Sequence, residues 1–137
     1  MKNKIIAAAA MLCCACCLAA QNAKPAASLA GEGKKIALPS GGYFTWQFAQ
    51  KPKMGTAILK IRAYSKTGEK DASCKISAEY GMPEMRAHDS GAVNFRLSKK
   101  GDYLLPVEIA MPGKWRVTIH IRQSGKEIFS GAIDFDV

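Results

Sequence analysis

From residue 43 onward, apolar and polar residues alternate with a period of two, and glycine and proline interrupt the alternation at intervals. Such a pattern places successive side chains on opposite faces of a β-strand, whereas no sustained 3.6-residue stripe indicates a helix. The clearest case is residues 114–122, whose apolar face comprises Trp115, Val117, Ile119 and Ile121 and whose polar face includes His120. The pattern therefore predicts an all-β domain.

The alternation predicts seven strands, at residues 43–49, 56–64, 73–80, 92–97, 103–110, 114–122 and 127–137. Because each strand has one apolar face, a second sheet must cover the first. We therefore expect a seven-stranded immunoglobulin-like two-sheet sandwich over residues 36–137, a length sufficient for one hydrophobic core. Trp115 and Tyr103 should supply much of its area. The same alternation predicts burial of Val93, Phe95 and Leu97.

Residues 1–20 have the layout of a signal peptide, with a cationic head followed by an apolar run from residue 5. That run is shorter than the ~20 residues that span a bilayer as a helix. Two outcomes of export stay open. One of the four cysteines at 13, 14, 16 and 17 is acylated, giving a lipoprotein anchored to the membrane, or cleavage after residue 19, 20 or 23 releases a soluble periplasmic protein.

Residues 21–35 are rich in alanine, lysine and glycine and predict a short flexible tether. Beyond the signal peptide a single thiol remains, Cys74, so no intramolecular disulfide can form and packing must stabilise the domain. Cys74 alternates inward with Ile76 and Ala78, which favours a buried structural thiol over a reactive one.

Without the two lysines of the signal peptide, 18 basic and 11 acidic residues remain, a net charge of +7. The basic residues are scattered and lack interleaved aromatic residues, which favours a solvated surface over a nucleic-acid site. Weak attraction to anionic lipid or to an envelope polymer is the remaining alternative.

The segment from Gly81 to Gly91 carries the most specific chemistry, because Met82, Met85 and His88 fall within seven positions. Thioether sulfur and imidazole are ligands that select copper, above all Cu(I), over harder cations. Glycines at both ends and a proline within predict a connection between strands, where functional residues concentrate on a rigid frame.

Strand parity predicts where these residues lie. In a sandwich whose strands run back and forth between two ends, every second connection lies at the same end. The connections at 50–55, 81–91 and 110–113 should therefore meet at one end, which we call the methionine pole. They carry Met54, Met82, Met85, His88 and Met111. The opposite pole, built from residues 65–71, 98–101 and 123–125, is polar and charged.

Two interpretations of the methionine pole remain open. In the first, Met82, Met85, His88 and Met111 hold Cu(I), with Met85 and His88 foremost because they lie off the strand pattern. In the second, the methionines are flexible apolar fillers that cap the core, which the inward parity of Met82 and Met111 favours. His88 would then be an exposed histidine bonded to water or to its neighbouring aspartate. His120 is predicted to face solvent from the middle of its strand.

Four segments together carry a resemblance to a known family. They are 51–56 (Lys-Pro-Lys-Met-Gly-Thr), 82–85 (Met-Pro-Glu-Met) with His88 after it, 101–103 (Gly-Asp-Tyr) and 111–117 (Met-Pro-Gly-Lys-Trp-Arg-Val). In this order they resemble the YtkA-like family of exported bacterial domains, which is related to FixH-like proteins, over residues 43–137. The resemblance implies an immunoglobulin-like sandwich at the outer face of a membrane and an association with copper handling, oxidase assembly or metal efflux. Asp89 stands where members often carry a second histidine, which weakens a Cu(II) site more than a Cu(I) site.

The sequence therefore leaves two classes of function. One is an exported accessory protein that carries or senses Cu(I). The other is a structural or interaction module without metal, presenting a sheet face or edge to another envelope protein. We expect no enzyme, because the sequence offers no Ser-His-Asp or Cys-His arrangement, no paired carboxylates and no phosphate-cradling glycine loop.

Overall fold

The computed structural model describes residues 26–85, 87 and 89–137, so the predicted signal peptide, Arg86 and His88 lie outside the described residues. Among the described residues there is no helix long and apolar enough to cross a membrane. The strands are β1 (Ala27–Ser28), β2 (Ile36–Ala37), β3 (Tyr43–Phe48), β4 (Gly55–Tyr64), β5 (Lys75–Gly81), β6 (Val93–Asn94), β7 (Arg96–Leu97), β8 (Tyr103–Ile109), β9 (Lys114–Gln123) and β10 (Lys126–Asp136).

These strands form two five-stranded sheets, in the orders β1-β10-β9-β5-β6 and β2-β3-β4-β8-β7. The predicted all-β, two-sheet immunoglobulin-like sandwich is confirmed. Its core lies between the sheets and includes, fully buried, Phe44, Leu59, Ile61, Leu105, Val107, Val117, Ile119 and Ile121. Trp115 and Tyr103 are buried as predicted, with 5% and 3% of their surface exposed.

The predicted count of seven strands is wrong, because the structure has ten. The segment predicted as one strand at 92–97 is divided between the sheets, since β6 pairs with β5 and β7 pairs with β8. Phe95 lies at the crossing and points into the core, while Leu97 is 49% exposed. A strand that changes sheets breaks the two-residue alternation. The predicted burial of Leu97 fails for that reason.

The other additional strands lie near the N-terminus and belong to residues 26–37, which we call the N-terminal strap. β1 pairs in parallel with β10, and β2 pairs antiparallel with β3, so the strap joins one edge of each sheet. Leu29 continues the first pairing by donating its backbone N–H to the carbonyl of Ala132 at 2.8 Å. The side chain of Leu29 fills the space that Gly131 leaves by lacking a Cβ.

Between its two strands the strap is held by side chains. The indole Nε1 of Trp46 donates to the carbonyl of Ala30 at 2.8 Å, and the backbone N–H of Phe48 donates to Oε1 of Glu32 at 3.0 Å. Residues 26–35, which fall within the tether predicted at 21–35, make these contacts along the sandwich. The composition of this segment gave no sign of these contacts, since they depend on partners far away in the sequence.

At the pole opposite the methionines, the carboxylate of Asp102 is buried between two cations. Its Oδ1 lies 2.9 Å from Nζ of Lys70 and 3.2 Å from Nε of Arg62. Burial raises the pKa of Asp102, but the hydrogen bond from Lys70 and the charge of Arg62 outweigh burial and hold this pKa below its ordinary value. The ionised form is therefore part of the folded structure.

Asp102 makes the stability of the protein depend on pH in the acid range. Because its pKa is lower in the folded than in the unfolded chain, its contribution is complete above the ordinary pKa of about 3.8 and is lost as pH falls through the lower folded value. When the unfolding midpoint is measured as a function of pH, we expect it to fall less steeply at acid pH for Asp102→Asn than for the parent protein. Asp136→Asn, at an exposed position of β10, is the control. An equally steep fall in the Asp102 variant would contradict this assignment.

Candidate metal-binding pole

Strand register places the methionines of residues 26–137 at one end of the sandwich. Gly55 is paired with Ile109, so Met54 lies beside the start of the connection that carries Met111. Gly81 is paired with Arg116, so Met82 leaves its strand at the same end. The predicted location of Met54, Met82, Met85 and Met111 at one pole is confirmed, whereas His88 lies outside the described residues.

Met82 and Met111 line one cleft of about 260 Å³ at this pole, together with Tyr80, Glu108 and Trp115. Both methionines are half-buried and pack against the core. The cleft thus brings together two thioethers from separate connections of the sandwich.

Trp115 fixes the backbone of one side of the cleft. Its indole Nε1 donates to the carbonyl of Met111 at 3.0 Å. The same connection is joined to the end of β10, because Gly113 and Val137 exchange backbone hydrogen bonds of 2.8 and 3.0 Å. The position of Met111 is therefore set by the two C-terminal strands.

Gly113 makes room for Met82. Its φ of 136° is one that side chains rarely adopt, and a Cβ at this position would lie 2.7 Å from the terminal methyl of Met82. Nothing local in the sequence marks Gly113 as a neighbour of Met82. The sequence shows a glycine two residues after Met111, but the approach of the Met82 side chain to this glycine depends on the tertiary fold.

Met85 and Met54 are the exposed methionines of this pole, at 40% and 56%. The backbone N–H of Met85 donates to the carbonyl of Met82 at 2.9 Å, which forms a tight turn and keeps the two residues adjacent. Met85 therefore sits just outside the cleft. Met54 is not among the residues that line the cleft.

A second, more polar cleft of about 150 Å³ also has Met82 in its wall and is lined by Glu79, Asp89 and Arg116 among others. The carboxylate of Asp89 packs over Gly81, in space that a larger residue would fill. Ser90 secures this return of the chain, since its backbone N–H donates to the carbonyl of Tyr80 at 2.9 Å and its Oγ accepts from the N–H of Tyr80 at 3.0 Å. The loop carrying Met82 and Met85 is thus held at both ends.

Within the part of the chain that the structure describes, no three His, Cys, Asp or Glu side chains converge as a metal site. The cleft at the methionine pole offers two thioethers, a chemistry that fits Cu(I) better than the harder divalent cations, while the carboxylate of Glu108 in the same cleft accepts a hydrogen bond from Oγ1 of Thr56. The donor set of the described residues is therefore compatible with copper in its reduced state.

The thiol and the second histidine lie away from the cleft. Cys74 is buried, as predicted, and burial together with the charge of Asp71 raises the pKa of its thiol. It precedes Lys75, at the opposite end of β5 from Met82. His120 is on the outer face of β9 as expected, but it is half-buried there, and its Nδ1 lies 2.5 Å from Oε1 of Glu127.

The strand order and core define the class of this protein as a two-sheet β-sandwich, and solved structures share that fold. No protein-family model and no curated protein matches the sequence. The chain is similar to FetP of uropathogenic Escherichia coli strain F11, expressed recombinantly in the periplasm of E. coli, with a TM-score of 0.52 and 13% identity over 77% of this chain and 93% of FetP.

Two copper-bound structures are also similar. A copper-bound variant of the same FetP has a TM-score of 0.50 and 14% identity, covering 76% of this chain and 93% of that one. A copper-bound variant of Campylobacter jejuni P19 has a TM-score of 0.50 and 12% identity, covering 77% and 93%. At these identities the likeness shows a common fold.

Proposed function

We propose that this protein is an exported accessory protein of the bacterial envelope that binds Cu(I) through Met82, Met85, His88 and Met111. The observation that carries the proposal is the shared cleft of Met82 and Met111, with Met85 on the adjoining turn. The copper-bound variants of FetP and P19, which have this fold, support it. We further propose that the chain is a YtkA-like domain and has no catalytic activity.

The donor set suits a carrier or sensor of reduced copper. Thioethers are neutral and soft, so they favour Cu(I) over Zn²⁺, Ca²⁺ or Mg²⁺ without requiring a charged pocket. Met82 and Met111 are held by core packing, while Met85 is exposed and His88 follows it by three positions. Two ligands would thus come from the fixed end of the sandwich and two from the loop above it.

A second function is favoured by one specific observation. Met82 and Met111 pack against the buried core, and methionines that cap a core need no metal to explain them. In that case the protein is a structural or interaction module whose partner is another envelope protein. The two functions differ in whether the purified protein binds Cu(I) at all.

Competition with a chromophoric Cu(I) chelator under reducing conditions tests the proposal. We expect the parent protein to take up one Cu(I), and Met85→Leu, His88→Ala and the double variant Met82→Leu/Met111→Leu each to weaken binding by at least about tenfold. Loss of groups that only support ligands already costs ~10–100-fold in many metal sites. Leucine nearly conserves the volume of methionine, so the unfolding midpoint should move little.

Two matched controls separate this site from other sulfur donors. Met54→Leu removes a methionine at the same pole but outside the cleft, and Cys74→Ser removes the buried thiol near the opposite pole. Both should leave Cu(I) affinity within about twofold of the parent. Absence of stoichiometric Cu(I) in the parent would refute the copper proposal and favour the metal-free module, and unchanged binding in the Met85→Leu/His88→Ala double variant would refute the assigned ligands.

A further inference from the structure

A cleft of about 350 Å³ lies at the pole opposite the methionines and is lined by Ser73, Lys75, Arg122, Ser124 and Gly125. It is formed where β5 begins and where the β9–β10 hairpin turns. No carboxylate is among these lining residues. The cleft is independent of the proposed copper site, which lies at the other end of the same strands.

The two cations of the cleft face each other. Lys75 and Arg122 are direct partners in the antiparallel pair β5–β9, and both side chains point outward because their neighbours Ile76 and Ile121 are buried. Like charges directly opposite each other destabilise a sheet. The arrangement therefore has a cost that a bound anion would relieve.

The carboxylates nearest to this pair are engaged elsewhere. Glu127 is the partner of Arg122 on the other side, in β10, but its carboxylate contacts His120 at 2.5 Å. Asp71 accepts a hydrogen bond from the backbone N–H of Ser73 at 2.8 Å. Within the described residues, neither Lys75 nor Arg122 has a carboxylate within 4.0 Å.

Hydrogen-bond donors surround the two charges. The hydroxyl of Ser73 accepts from Nε2 of Gln123 at 3.4 Å, which leaves its own proton to be donated. Ser124 and Gly125 form the two-residue turn of the hairpin with φ of 52° and 78°. Asparagine and glycine are the usual residues in such a turn, and Ser124 is the one non-glycine residue with positive φ among those described. The strained position thus holds a hydroxyl at the rim of the cleft.

We propose that this cleft binds a phosphate group. A planar guanidinium, a flexible ammonium and two hydroxyls match the several oxygen acceptors of a phosphate better than a single carboxylate. The volume admits the group together with part of the molecule that carries it. The carrier is either a soluble phosphate compound or the headgroup of an anionic phospholipid.

The test is a titration of the purified protein with inorganic phosphate against chloride at constant ionic strength, followed by the backbone amide NMR signals of Ser73, Ser124 and Gly125. We expect a saturable shift of these signals with phosphate only. The double variant Lys75→Gln/Arg122→Gln should bind at least about tenfold more weakly, because charged hydrogen bonds are lost. Removal of the like-charge pair should not lower its unfolding midpoint.

Lys51→Gln/Lys53→Gln is the matched control, since it removes the same charge from exposed positions at the methionine pole and should bind phosphate like the parent. Equal weakening in both double variants, or no saturable shift in the parent, would overturn the proposal. Sedimentation with phosphatidylglycerol and phosphatidylcholine vesicles then identifies the carrier. Binding to the anionic vesicles that only the cleft variant loses indicates a headgroup, whereas saturable phosphate binding without vesicle binding indicates a soluble compound.

Discussion

Replacing Trp115 by alanine is expected to lower the free energy of unfolding by about 3–5 kcal/mol, as truncation of a buried large aromatic residue generally does. The side chain is 5% exposed, packs in the core at the methionine pole and donates to the carbonyl of Met111 at 3.0 Å. A domain of this size has a total stability of only about 5–15 kcal/mol. Equilibrium urea unfolding should therefore show a much lower midpoint, or little folded protein.

Lys114→Ala, at the exposed neighbouring position of the same strand, is the control. It should change the free energy of unfolding by no more than about 0.5 kcal/mol. Trp115→Phe separates the loss of volume from the loss of the indole hydrogen bond and should have an intermediate effect. A midpoint of the alanine variant within error of the parent would show that Trp115 does not hold the cleft and the core together.

Gly42→Ala should lower the free energy of unfolding by about 2–3 kcal/mol, the usual range for forcing added atoms into a packed region. Gly42 is buried, and a Cβ on it would overlap the backbone carbonyl oxygen of Tyr64. Tyr64 is held by its pairing with Tyr43, so the end of β3 must separate from β4 to make room. Urea unfolding again provides the measurement.

Gly31→Ala is the matched control. Gly31 has no heavy atom within 4 Å of an added Cβ, and its φ is not in the left-handed region. The free energy of unfolding of this variant should stay within about 0.5 kcal/mol of that of the parent. If Gly42→Ala and Gly31→Ala have the same urea midpoint, the close approach of β3 and β4 at Gly42 does not limit stability.

The strands that remain within one sheet were predictable because their side chains alternate between core and solvent. Residues 114–122 follow this rule throughout, and the structure places β9 at Lys114–Gln123. The rule fails where the chain leaves a sheet, as between β6 and β7, because nothing local in the sequence marks the crossing. It also fails in the N-terminal strap, whose two short strands depend on partners in β10 and β3.

The candidate site, like the strands, could be predicted from the sequence only in part. Counting connections between strands was sufficient to bring Met54, Met82, Met85 and Met111 to one pole, because a division of one strand between two sheets does not change the end at which the chain arrives. The sequence did not reveal that Met82 and Met111 share a cleft from which Met54 is absent. That distinction depends on Gly113 and Trp115, which act through contacts between distant segments.

The N-terminal strap has a consequence for the order in which the chain folds. β1 is the first strand of the described chain, yet its partner is β10, the last strand described. Until β1 and β10 pair, the backbone N–H of Leu29 lacks its partner at Ala132, and the outer edge of β10 stays exposed to other chains. Closing so long a loop is slow relative to pairing neighbouring strands. Docking of β1 therefore acts as a final closure, and the interval before it docks is when the protein is most prone to aggregate or to exchange strands with another copy.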